Sequence, residues 1–195
     1  MSVNDYALTT RARVQEYRVA NGETLDSTPE INTQIDNLIN SVSSRFESHC
    51  DRNFVSRAYT EYLDGKGSSV IYPKQYPITD VESIHSDSGW KWLVKDLINS
   101  DNYRIVDENS IVLKSGMTFS DAVQNIKLVY TAGYNEIPYD LEGACINEVL
   151  RMLMKFEEIG VIEKRSNDYL VKYVSAPFME DTLLVLNRYK RKEAY

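Results

Sequence analysis

The chain has 195 residues, with Lys and Arg totalling 22 against 29 Asp and Glu, a formal net charge of −7. Hydrophobic residues at 43% and charged residues at 26% are an ordinary globular composition, which excludes bulk disorder. The acidity excludes a general nucleic-acid coat, because phosphate binding needs concentrated positive charge.

The first segment reads as helical. Thr9 or Thr10 can cap a short helix over 9–20, and Asn21-Gly22 tolerate the left-handed backbone that ends one. Thr28-Pro29-Glu30 then opens a longer helix over 29–50, with a capping hydroxyl, a proline at the first helical position and a carboxylate at the positive end. Ile31, Ile35, Leu38, Ile39, Val42 and Phe46 form one apolar stripe, and Asn32, Asp36, Asn40, Ser43 and Glu47 the polar face opposite.

The period changes over 56–134. Short β-branched or aromatic runs occupy 59–63, 70–72, 81–84, 103–106, 111–113 and 126–130, separated by Asp64-Gly65-Lys66-Gly67, Tyr76-Pro77, Ser88-Gly89 and Ser115-Gly116. Turn signals this close leave no room for crossover helices, so a small antiparallel sheet is expected, with Asp64 to Gly67 as a hairpin turn. Residues 90–99 fit a short helix or a ragged hairpin equally well.

Pro138, Asp140 and Glu142 open another helix over 138–158, with Leu141, Cys145, Val149, Met152 and Phe156 along one face. Leu150, Leu153 and Met154 widen that face, and Gly160 suits a stop. The fold expected is α+β but mainly α: a bundle of two long antiparallel helices, 29–50 and 138–158, plus the short N-terminal helix, with a small antiparallel β-sheet inserted. Residues 1–160 would be a single domain and 161–195 a C-terminal extension. There Glu180-Asp181-Thr182 can cap a short helix carrying Leu183, Leu184, Leu186 and Tyr189, followed by a basic cluster ending in Lys192. Such a segment either folds back or docks on a neighbour.

Chemistry is thinly marked. Cys50 and Cys145 are too few for a disulfide scaffold, and Cys145 lies on an apolar stripe where cysteine behaves as a small hydrophobe. His49 and His85 belong to no metal-spaced cluster, so no metal or cofactor is expected. No nucleophile elbow, phosphate loop or dinucleotide fingerprint occurs, and no carboxylate pair stands out as an acid–base couple. No catalytic residue is assigned; the rival reading, an enzyme or small-ligand binder, would need a pocket near Trp90, Trp92 and His85. Fourteen tyrosines against five Phe and two Trp suit either strands or surfaces buried on assembly. Met1 to Tyr6 lack a leader's charged head and apolar core, and no apolar run nears the ~18 residues of a spanning helix, so no membrane role is expected.

The order of motifs resembles the head–tail connector (head-completion adaptor) family of tailed bacteriophages. The resemblance rests on Leu8-Thr9-Thr10, a short helix through Tyr17, a long helix reaching Cys50-Asp51-Arg52, the run Tyr76-Pro77-Ile78-Thr79-Asp80-Val81, Tyr103-Arg104-Ile105 and Tyr130-Thr131-Ala132-Gly133-Tyr134, and finally Ile137-Pro138-Tyr139-Asp140-Leu141. It spans about residues 6–158. It implies a non-enzymatic virion protein of the neck, assembled in the host cytoplasm as a homo-oligomeric ring, a dodecamer, beneath the portal protein. The ring would extend a channel that phage DNA passes without specific binding, and carry downstream head-completion or tail proteins. The C-terminal segment would dock on the portal through Leu183, Leu186, Arg188, Tyr189, Lys190 and Arg191. Stripe residues outside the core pair, Arg151, Leu153 and Met154, would lie near the neighbouring subunit. Two stretches depart from the family pattern: 86–100, which is longer, and 160–178, which is extended.

Overall fold

The computed structural model describes residues 2–22, 28–157, 163–166, 169–172 and 177–191. Two compact units divide the chain, one from Met1–Asp51 and Ile137–Arg191, the other centred on Arg52–Glu136.

The first unit is helical. Thr10 caps α1 (Arg11–Ala20), its hydroxyl accepting from the Arg13 amide at 3.3 Å, and Thr28 caps α2 (Pro29–Cys50) in the same way through Ile31. α2 buries Ile35, Leu38, Ile39, Val42, Phe46 and Cys50, as the stripe predicts. Two members of the expected polar face are buried as well. Asp36 accepts a salt bridge from Arg11, and the Ser43 hydroxyl accepts from the Leu8 amide at 3.0 Å. The N-terminal segment therefore covers a second side of α2. α3 (Tyr139–Glu157) packs against α2 and buries Leu141, Cys145, Ile146 and Val149 completely. A short hairpin of β7 (Glu163–Ser166) and β8 (Tyr169–Lys172) follows, then α4 (Glu180–Tyr189), which packs against α2 and α3.

The second unit holds β1 (Arg57–Gly65), β2 (Val70–Ile71), β3 (Ile78–Ser86), β4 (Tyr103–Val106), β5 (Ser110–Leu113) and β6 (Ala122–Ala132). They form two antiparallel three-stranded sheets, ordered β1-β6-β3 and β2-β5-β4. Alternate residues Ile126, Leu128, Tyr130 and Ala132 of β6 point into one core with Ile78 and Ile84 of β3, and with Ile71, Ile111 and Leu113 of the other sheet.

The expected fold class is thus corrected. The molecule is not a mainly helical bundle of two long antiparallel helices with one small inserted sheet: helix is about 39% and strand about 26%, with four helices and two three-stranded sheets among the described residues. The physical reason is that the strand-rich runs carry enough apolar positions to face two sheets onto a core of their own. The hairpin expected at Asp64 to Gly67 is corrected too, because β1 pairs with β6 and β2 with β5. Residues 90–99 form neither alternative but a loop with a single 3₁₀ turn, Val94–Asp96. The stop expected at Gly160 lies outside the described residues.

Candidate functional site

α4 is bolted into the first unit at both ends. At its start Phe178 is buried edge-on to Phe46, with ring centroids 5.4 Å apart, and the Arg45 guanidinium lies 4.7 Å from its ring centre. Arg45 also donates to the Pro177 carbonyl. Glu148, fully buried on α3, accepts the Met179 amide at 2.5 Å through one oxygen and Arg151 at 2.7 Å through the other. At the far end the Tyr189 hydroxyl donates to Asp140 at 2.6 Å, Arg188 lies 3.7 Å from the same carboxylate, and Arg191 pairs with Asp51 at 3.2 Å.

Of the six docking residues read from the sequence, Leu186 is therefore fully buried in its own unit, its carbonyl accepting from the Cys50 thiol. Leu183 is half-buried, and Arg188, Tyr189 and Arg191 are held by acidic partners of the same unit. The exposed face of the helix is carried by Leu184, 60% exposed, with Arg188 and Lys190. Among the α3 candidates Arg151 is committed to Glu148 and Leu153 is buried, whereas Met154 faces solvent. Sequence reasoning passed over Glu148, yet the spacing signals it. Positions 141, 145, 148 and 152 share one helix face, so a carboxylate there must find partners or pay for its burial.

In the second unit the motif residues converge. Arg52 is nearly fully buried, its guanidinium 3.7 Å from the Tyr76 ring centre, 5.3 Å from Phe54 and 5.5 Å from Tyr134, and it donates to the Tyr76 carbonyl. A planar, always-charged cation among aromatic faces makes a rigid clamp. Gly133 lets the chain pass: its φ is +113°, and a Cβ there would sit 2.7 Å from the Val55 carbonyl carbon. The cysteines offer no nucleophile, since both are buried and desolvation pushes the Cys145 thiol up to about 12. Among the described residues no three His, Cys, Asp or Glu side chains are grouped to hold a metal ion.

Trp90, Trp92 and His85 do not enclose a pocket. Trp90 is 60% exposed with its indole N–H directed at the Val123 carbonyl, Trp92 lies against Tyr62 at 5.7 Å, and His85 bridges to Leu97 at the edge of β3. Hollows of about 360 and 380 Å³ lie elsewhere, beside Tyr103 and Leu113 and beside Leu63 and Tyr72, and a groove of about 490 Å³ runs along α1 beside Ala12 and Val19.

The family model described as head completion protein matches residues 7–156. No curated protein matches the chain. Among solved structures, the chain is similar to one in the virion of a native gene transfer agent (GTA) particle, with a TM-score of 0.62 and 14% identity over 100% of this chain and 95% of that one. It is also similar to chains of two GTA necks. One is from an empty particle computed with C6 symmetry, with a TM-score of 0.60 and 13% identity over 93% and 90% of the two chains. The other is from a native particle computed with C12 symmetry, with a TM-score of 0.57 and 14% identity over 100% and 98%.

Proposed function

The chain belongs to the head completion protein family, and on that premise we propose that it is a structural protein of the virion neck, a head–tail connector whose copies close into a ring under the portal. The observation that carries this reading is the family match over residues 7–156, joined by a fold shared along the whole chain with components of GTA virions and necks. Twelve copies is the number proposed, in line with the C12 symmetry of one similar neck.

The physics of such a part is geometric. A ring of subunits each carrying −7 repels phosphates, so DNA passes through it without being held. A closed ring uses heterologous contacts, in which one face of a subunit meets a different face of the next. Met154, exposed on α3, is retained as a contact candidate for that neighbour. Contact with the portal is assigned to the outer face of α4, through Leu184, Arg188 and Lys190, because Leu186 is spent on the subunit's own core. Family and fold point to a structural role rather than catalysis.

The test is reconstitution. Purified protein added to portal-bearing, DNA-filled heads that lack it should appear as ring density against the portal in electron micrographs and should stop DNA loss. Heads that gain no density and keep leaking refute the reading.

A further inference from the structure

One end of the β1-β6-β3 sheet is built to stay exposed. There Gly65 of β1 faces Ala122 of β6, and Ser86 of β3 faces Ile126. The loop after β3 folds over this end and presents Trp90, 60% exposed, Leu93, Val94, 87% exposed, and Leu97, beside Val123 of β6 and Tyr62 of β1. Contacts between Trp90 and Val123 and between Trp92 and Tyr62 join these side chains into one patch. Its apolar area is on the order of 600 Å², the largest a monomer ordinarily shows and close to the ~800 Å² one partner gives a standard interface.

The loop is held open rather than loose. The Asp87 carboxylate accepts the amides of Gly89 and Lys91 at 2.7 Å and of Trp92 at 3.3 Å, and these bonds, Gly89 first, hold it below the usual carboxylate range. Beneath it Asn125, fully buried, accepts the Gly65 amide at 2.7 Å and donates to Ser120, while its own carbonyl takes the Asp87 amide. Trp90, Trp92 and Gln124 are three of the six non-glycine residues at positive φ among those described. Backbone strain of this kind persists where the surroundings over-determine it, and it keeps both indoles from collapsing onto the sheet.

Charge says what covers the patch. Asp87 and Asp96 are both turned onto backbone amides of the loop, which leaves Lys91 and Lys95 as its outward charges. The rest of the same chain is strongly acidic. A heterologous ring needs two unlike, complementary faces on one polypeptide, and a cationic, apolar end on an acidic chain supplies them. We propose that this end of the β unit grips a carboxylate-bearing face of the next copy of the chain; the inference rests on the ring reading above and names its contact.

The experiment places the photo-reactive amino acid p-benzoylphenylalanine at Val94, in a full chain mixed from isotopically light and heavy copies, assembled on portal-bearing heads and irradiated. Light-to-heavy cross-links from position 94 to peptides rich in Asp or Glu are the expected result. Cross-links to a different protein or to DNA, or none in particles that do show ring density, overturn it. A second arm combines Val94→Asp with Lys91→Glu and Lys95→Glu. Ring occupancy should fall about thirtyfold while circular dichroism and melting stay as in the parent chain; unchanged occupancy overturns the proposal. Absence of ring density with the parent chain itself defeats the neck reading, and the inference with it, and so is told apart from failure of the contact alone.

Discussion

Replacing Glu148 by alanine should loosen the attachment of α4 more than any other single change on α3. The carboxylate is fully buried and has two obligations, the Met179 amide at 2.5 Å and the Arg151 guanidinium at 2.7 Å. Alanine orphans both. An unpaired buried N–H costs about 1–3 kcal/mol, and breaking a buried ion pair from one side costs about 3–5 kcal/mol. Because the Arg151 side chain keeps 19% of its surface in solvent, water recovers part of the loss, and a total of about 3 kcal/mol is expected. For a chain of this size that lowers the melting midpoint by about 6–12 °C. Cys50 and Cys145 are both buried, both in the helical unit, and the Cys145 thiol is pushed up to about 12, so neither should react with a thiol dye until that unit opens. The assay is dye labelling along a thermal ramp. Glu148→Gln, which keeps an acceptor for Met179, should fall between the parent and the alanine variant. A Glu148→Ala midpoint within about 2 °C of the parent refutes the claim that this carboxylate holds the helix.

Other changes test the β unit. Gly133→Ala forces a side chain into φ +113° and against the Val55 backbone; strain alone costs about 1–3 kcal/mol, and an unchanged urea midpoint by tryptophan emission contradicts it. Arg52→Lys keeps the charge but loses the planar face lying 3.7 Å over Tyr76; its midpoint should drop by the ~1–2 kcal/mol of a desolvated cation–π contact, and parity with the parent would make the clamp incidental. The Asp87 carboxyl is lowered in the folded loop, so the order it provides is present above the unfolded carboxylate value of about 3.9 and is lost as pH falls through the lower folded value. Both tryptophans of the chain sit in that loop. Their emission should shift red on acidification below about pH 4, ahead of any loss of far-UV dichroism. In Asp87→Ala the shift should already be present at neutral pH; identical titrations of the two proteins would remove the carboxylate from the argument.

Helices were legible because their starts carry chemistry that acts locally. Thr28, Pro29 and Glu30 satisfy or spare the first amides whatever the rest of the chain does. Strand positions were legible for a similar reason, since alternation along β6 marks one face for burial. Partnering was not. Gly65 reads as a hairpin glycine, yet its role is close approach: a Cβ there would lie 1.9 Å from the Ser120 carbonyl oxygen. That contact joins residues 55 positions apart, and no local period records it. The same limit hid Asp36 and Ser43, polar in type but buried by an N-terminal segment that only the folded chain brings over them.

Candidate surfaces were legible in the inverse way. Arg52, Tyr76, Gly133 and Tyr134, among the residues that carry the family resemblance, spend themselves on one another in the interior of the β unit. They specify a scaffold and contribute little that a neighbour could touch. The α4 helix, whose leucines looked available, uses Leu186 the same way. What remains for recognition is what the motif does not govern. The stretch at 86–100 departs from the family pattern, and it is there that two indoles, an almost fully exposed valine and two lysines are propped outward by buried hydrogen bonds. A shared interior under a locally rebuilt rim is the division of labour expected of a ring subunit, in which the fold must stay constant while the contacts are retuned to its own partners.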